Sequence, residues 1–171
     1  FADNKEMGKY YRYNRSQVTF DELSPNVVNA LIATEDIRFT EHSGIDLRGL
    51  GRVFFKSILM FDKSAGGGST ISQQLAKILF RTRSDLSNGS LNNVPVLGLV
   101  IAKMKEWIVA VELERSYTKK EIIAMYLNTF EFGSNAFGIK TASKTFFNTT
   151  PDQLTIPEAA VLVGLCKNPN L

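Results

Sequence analysis

The chain has one cysteine and one histidine in 171 residues. Cys166 alone excludes an internal disulfide, and with only His42 beside it there is no Cys/His cluster spaced to hold zinc. Net charge is nearly as sparse. Twenty Lys and Arg against 17 Asp and Glu leave +3, too small an excess to imply a nucleic-acid partner and compatible at most with an anionic substrate or a membrane surface. Long apolar runs are missing too: residues 94–102 stop at Lys103 and residues 53–61 are broken by Lys56, short of the roughly 18 to 20 residues that a spanning helix requires. Neither alternating strand patterns nor repeats nor low-complexity tracts occur. The sequence starts at Phe1 and stops after KNPNL, so it reads as a piece of a longer protein with an upstream anchor or signal expected outside it.

What is present is apolar material and helix punctuation. At 44% hydrophobic the chain can bury a core of its own, which argues against disorder. Ser24-Pro25 places a capping hydroxyl before a proline at the first helical position, Thr118 to Glu121 has the capping-box spacing, and Thr155-Ile156-Pro157-Glu158 opens another helix. The spacing predicts helices near 25–35, 46–61, 69–82, 95–115, 119–129, 136–146 and 157–165, an all-α domain with short connections. Residues 62–68 (DKSAGGG) and 84–93 (SDLSNGSLNN) read as loops, the second the more mobile. The early YYRYNR mixes aromatics with bases and reads as a surface arm, with lipid or anionic sugar as the alternative contact.

Three constellations carry chemistry. In ATEDIRFTEHSGID, residues 33–46, an apolar helix delivers Glu35 and Asp36 at its end; these are either surface charge or carboxylates poised by desolvation for general acid or base work. His42 reads as a structural hydrogen-bonder, because no serine or cysteine motif accompanies it. In GGGSTISQQLAKILF, Ser69, Gln73 and Lys77 stack along one helix face with Gln74 beside them, while Ile71, Leu75, Ile78 and Leu79 hold the other. Glycines before a helix N-terminus suit a phosphate or are simply a turn; Gly-x-x-x-x-Gly-Lys is absent, so this is no nucleotide P-loop. In VPVLGLVIAKMKEWIVAVELE the helix is apolar nearly all round and is expected to be a central buried element. Its charges fall on two strips, Lys105 with Glu112 and Lys103 with Glu106. The second is either a local ion pair or the wall of a cleft.

Taken in this order, the stretches resemble the peptidoglycan glycosyltransferases, glycosyltransferase family 51, of class A penicillin-binding proteins and monofunctional transglycosylases. The motif Glu-Asp-x-x-Phe-x-x-His-x-Gly is met by Glu35, Asp36, Phe39, His42 and Gly44. Gly-x-Ser-Thr-Ile-x-Gln-Gln-Leu-x-Lys-Asn is met by Gly67, Ser69, Thr70, Ile71, Gln73, Gln74, Leu75 and Lys77, with Ile78 where asparagine is usual. Arg-Lys-x-x-Glu keeps Lys103 and Glu106 but has Ala102 in place of arginine, and a fourth motif is met by Arg115, Lys119, Ile122, Tyr126, Leu127 and Asn128. The similarity runs over about residues 26–169.

The resemblance implies a single domain over 1–171 with a lysozyme-like all-α fold, a larger helical head and a small membrane-facing jaw at about 45–68. It implies polymerisation of lipid II and its growing lipid-linked glycan, with inversion at the donor anomeric carbon and release of undecaprenyl pyrophosphate. Glu35 would be the general base for the acceptor 4-hydroxyl and Glu106 the second catalytic carboxylate. Lys77, Lys103 and Arg52 would hold the pyrophosphate, with Ser69, Gln73 and Gln74 lining the donor site. No cofactor is required, a divalent cation (Mg or Mn) being left open. Phosphoglycolipid inhibitors of the moenomycin type are expected at the donor site. The setting implied is the periplasmic face of the cell membrane, with contact through VFFKSILMF (53–61) and anchorage by an upstream transmembrane helix.

Ala102 removes a guanidinium whose planar, bidentate grip lysine cannot copy; Arg81 or Arg83 is the candidate replacement.

Overall fold

Helix starts fall where the capping residues put them. Ser24 Oγ accepts from the Asn26 N–H ahead of Pro25, opening α1 (Pro25–Glu35), and the same hydroxyl donates to the Leu154 carbonyl, tying that start to the distant segment before the last helix. Asp46 accepts from Gly49 N–H to open α2 (Leu47–Phe54). Thr118 and Glu121 close a reciprocal capping box at α5 (Lys119–Thr129). The computed structural model describes residues 14–15, 17–55, 68–80 and 95–167; the remaining helices there are α3 (Ile71–Phe80), α4 (Pro95–Ser116), α6 (Ile139–Phe147) and α7 (Ile156–Lys167). The fold is all-α. The only sheet among the described residues joins β1 (Asn14–Arg15) to β2 (Ala136–Phe137) in parallel.

α3 lies between α4 and α5, and α1 packs along α7. Val27 and Leu31 from α1, Phe39, Ile71 and Leu75 from α3 and its approach, Ile122, Tyr126 and Leu127 from α5 and Leu162 from α7 are fully buried in one core. Each large aliphatic side chain so buried contributes about 1.5–3 kcal/mol against exposure. Asn128 clamps the entering chain to α5: its Oδ1 accepts from Val18 N–H at 2.9 Å and its Nδ2 donates to Val18 O at 2.7 Å.

Two expectations meet a different outcome, and a third group lies largely outside the described residues. The helix expected from 136 starts at Ile139, because Ala136 and Phe137 spend their backbone groups on Asn14 and Arg15. Second, α4 is not a wholly buried element. Val100, Met104 and Ile108 are 49%, 54% and 69% exposed; with Ile45, Trp107 and Val111 they line an apolar groove of about 710 Å³ that no described residue fills. Third, the expected helix at 46–61 is described only to Phe54, and the jaw assignment at 45–68, the 62–68 and 84–93 loops, YYRYNR and Arg81 with Arg83 fall wholly or largely outside the described residues. No described helix is long and apolar enough to cross a membrane.

Candidate active site

The two carboxylates that α1 delivers face different environments. Asp36 is buried and turns to the framework: both its oxygens lie 3.0–3.1 Å from His42 Nε2, and Oδ2 accepts the Ile71 N–H at 3.1 Å. A carboxylate can only accept, so Nε2 carries the proton in this pair, and Asp36 neutralises an otherwise unpaired donor at the start of α3. His42 is thereby structural. Glu35, one residue earlier, is half-buried and points to a cleft of about 250 Å³.

Ser69, Gln73, Gln74 and Lys77 from α3 and its approach, Glu106 from α4, and Cys166 and Lys167 from the end of α7 line that cleft with Glu35. The i, i+4, i+8 spacing of Ser69, Gln73 and Lys77 is what brings them to one face. Gln73 is fully buried; its Nε2 donates to Gly44 O at 3.2 Å while its Oε1 has no hydrogen-bond partner among the described residues. Gln74 Nε2 donates to Glu35 Oε2 at 2.7 Å. Lys103 reaches the cleft edge, donating to Ser69 Oγ at 2.6 Å and to Glu106 Oε2 at 2.9 Å. Glu106 is 1% exposed, so the strip of α4 that carries it and Lys103 is the cleft wall, whereas Lys105 and Glu112 face solvent.

Arg52 stands apart from this group. It is exposed on α2 and is not among the residues lining the cleft. Ala102 is 2% exposed, and Ile78, where asparagine is usual, packs against the core. No described group of three or more His, Cys, Asp and Glu is placed to hold a metal ion.

Two participants escaped the sequence reading, and a third, Lys119, was marked only by the fourth motif and without a role. Cys166 counted only against a disulfide, yet its thiol lines the cleft, where burial first and the Glu35 charge second push it well above the ordinary thiol range and keep it neutral. Lys167 adds a cation to the cleft lining only because α7 ends there; no local pattern marks it. Lys119 donates to His42 O at 2.6 Å and Glu114 Oε1 at 2.8 Å, and sits over the Phe39 ring at 4.2 Å. It pins the 36–44 loop to α4 and α5. Glu114 also accepts from Ser72 Oγ on α3.

In chemical terms the cleft offers one partly exposed carboxylate held by an amide, one buried carboxylate held by an ammonium, and cations on several sides. That set can deprotonate a hydroxyl and receive a leaving group that departs as an anion.

Comparison with known proteins agrees with this chemistry. The family described as Transglycosylase matches residues 3–171. Penicillin-binding protein 1F of Bacillus subtilis is 40% identical over 165 residues, 96% of this chain and 21% of the relative. Penicillin-binding protein 1A of Escherichia coli is 38% identical over 170 residues, 99% of this chain and 18% of the relative. A biosynthetic peptidoglycan transglycosylase of Chromobacterium violaceum is 40% identical over 152 residues, 89% of this chain and 60% of the relative. The chain thus spans about a fifth of the penicillin-binding proteins it matches, and it belongs to the transglycosylase family.

Proposed function

We propose that the chain is a peptidoglycan glycosyltransferase that polymerises lipid II into glycan strands at the periplasmic face of the cell membrane. The observation that carries this reading is the meeting of Glu35, Lys77 and Glu106 in one cleft, with Lys103 bonded to Glu106 at its edge. Glu35 takes the proton from the 4-hydroxyl of the acceptor sugar as that oxygen bonds to the donor's anomeric carbon from the face opposite the leaving group. The anomeric C–O bond breaks, its electron pair leaves with undecaprenyl pyrophosphate, and the configuration inverts.

A diphosphate is already a competent leaving group, so the site needs a base for the nucleophile and positive charge for the departing oxygens more than a strong acid. Lys77 and Lys103 supply that charge, while Ser69, Gln73 and Gln74 line the donor site; Arg52, exposed on α2, is left without a part in it. Glu106 orients Lys103 and the donor. A hydrolytic glycosidase pairs two carboxyl groups as acid and nucleophile or base and has no use for several cations. The reaction requires no cofactor in this reading; a rate increase with Mg or Mn that chelation reverses would add a cation to the leaving-group site. A moenomycin-type phosphoglycolipid would occupy the same donor site.

The test is to supply lipid II and, separately, finished peptidoglycan. Lengthening strands from the precursor, abolished by Glu35→Gln with lipid II binding retained, are expected; fragments from the polymer and none built from the precursor would overturn the reading in favour of a hydrolase.

A further inference from the structure

The cleft has a hydrogen-bonded chain whose far end the reaction just described does not use. Gln74 donates Nε2 to Glu35 Oε2 at 2.7 Å, and its Oε1 accepts from the Tyr126 hydroxyl at 3.1 Å. A primary amide has two nearly isosteric orientations, and packing alone does not choose between them. The reversed orientation would set the amide oxygen against Glu35, acceptor facing acceptor whenever the base is a carboxylate. A donor at the far end of the side chain holds the productive one in place.

Tyr126 is placed to do so. It is fully buried on α5, stacked on Phe130 with ring centroids 5.7 Å apart. Burial first, then the neighbouring Cys166 and Glu35, pushes its phenol far above the ordinary value of 10.0, so the hydroxyl keeps its proton throughout the working range. A buried O–H must find an acceptor, and the Gln74 amide oxygen is the one it meets.

We propose that Tyr126 is a positioning residue for the transfer reaction: by holding Gln74 Oε1 it aims Gln74 Nε2 at Glu35 and fixes the carboxylate in the orientation that receives the acceptor proton. This rests on the reading of Glu35 as the base. The relay crosses three elements, α5 to α3 to the end of α1, and ties the geometry of the base to the packing of the core.

Steady-state kinetics on lipid II with Tyr126→Phe, Gln74→Met and the double variant test it, beside Glu35→Gln and thermal melting of each. Tyr126→Phe keeps the ring and deletes one hydrogen-bonding atom. Its kcat is expected to fall about tenfold, the worth of one such bond to the site, with KM changed by less than about twofold because substrate binding is untouched. Gln74→Met should lose at least as much, and adding Tyr126→Phe to it should cost nothing further, since the relay is already cut. A purely structural tyrosine would lower the melting temperature and leave kcat and the coupling alone. Wild-type kcat in Tyr126→Phe, or losses that multiply in the double variant, overturns the relay while an inactive Glu35→Gln leaves the base in place. If Tyr126→Phe does not fold, wild-type kcat in Gln74→Met overturns the relay by itself. Polymerisation by Glu35→Gln would instead overturn the reading of the base.

Discussion

Lys103 is the residue on which the electrostatics of the cleft turn. Its ammonium bonds Ser69 at the approach to α3 and the buried Glu106 on its own helix, so it links two walls and compensates a carboxylate that is 1% exposed. Lys103→Ala removes the compensation and a cation for the leaving group together. Affinity for a phosphoglycolipid donor-site inhibitor is expected to fall by about tenfold or more, the worth of a charge-assisted bond. Unchanged affinity, measured by direct binding, would refute the role. The i, i+3 spacing made the Lys103–Glu106 pair legible from the sequence, and the i, i+4, i+8 stack did the same for Ser69, Gln73 and Lys77. Side chains that arrive from other elements were not: Cys166 and Lys167 enter because α7 ends at the cleft, and Tyr126, marked only by its motif, meets Gln74 because α5 packs on α3. Such meetings are fixed by packing, which has no local signature.

At the scale of elements, caps and close approaches decide the geometry. The Thr118–Glu121 capping box forms as read from the sequence, and at the start of α7 Glu158 accepts from the Thr155 backbone N–H and hydroxyl in the same way. In each, the backbone N–H of the threonine first and its hydroxyl second hold the glutamate below its ordinary value of 4.5. A folded value below the unfolded one means that the stabilisation is complete above about pH 4.5 and is lost as pH falls through the lower folded value. The melting temperature should therefore drop on acidification below about pH 4.5, and Glu121→Gln with Glu158→Gln should flatten that drop; an unchanged slope would show that the boxes carry none of it. Gly44 is the other control. Its φ is +92°, and a Cβ there would lie 2.8 Å from the Ala110 carbonyl carbon and oxygen, so the loop after Glu35 and Asp36 rests directly on α4. Gly44→Ala must strain the backbone and separate the two, at a cost of about 1–3 kcal/mol or more. Urea denaturation measures it; a loss below about 0.5 kcal/mol, the size of a neutral surface change, would contradict the contact. Where the element reading slipped, at residues 136–138, the cause was a partner more than a hundred positions away, since β2 pairs with Asn14 and Arg15.

Over the whole molecule, the apolar periodicity of α4 was read correctly as apolar and wrongly as buried, and the difference bears on where the enzyme works. A helix greasy all round can face either more protein or a non-aqueous surrounding. Val100, Met104 and Ile108 are exposed, and their groove with Ile45 and Trp107 includes Lys103, which bonds Ser69 and Glu106 of the candidate cleft. Ile45 also joins it to the surface bearing Leu47, 76% exposed, and Arg48. The proposed substrate carries a long lipid and would be met at a bilayer, and an apolar surface fringed by Lys103, Arg115 and Arg48 matches an acyl boundary beneath anionic headgroups. Met104→Glu with Ile108→Glu should therefore lower sedimentation with anionic phospholipid vesicles by about tenfold or more, from the apolar area withdrawn. The melting temperature should stay near wild type, because both side chains already face solvent. Vesicle binding that is unaffected while polymerisation persists would move the membrane contact away from α4.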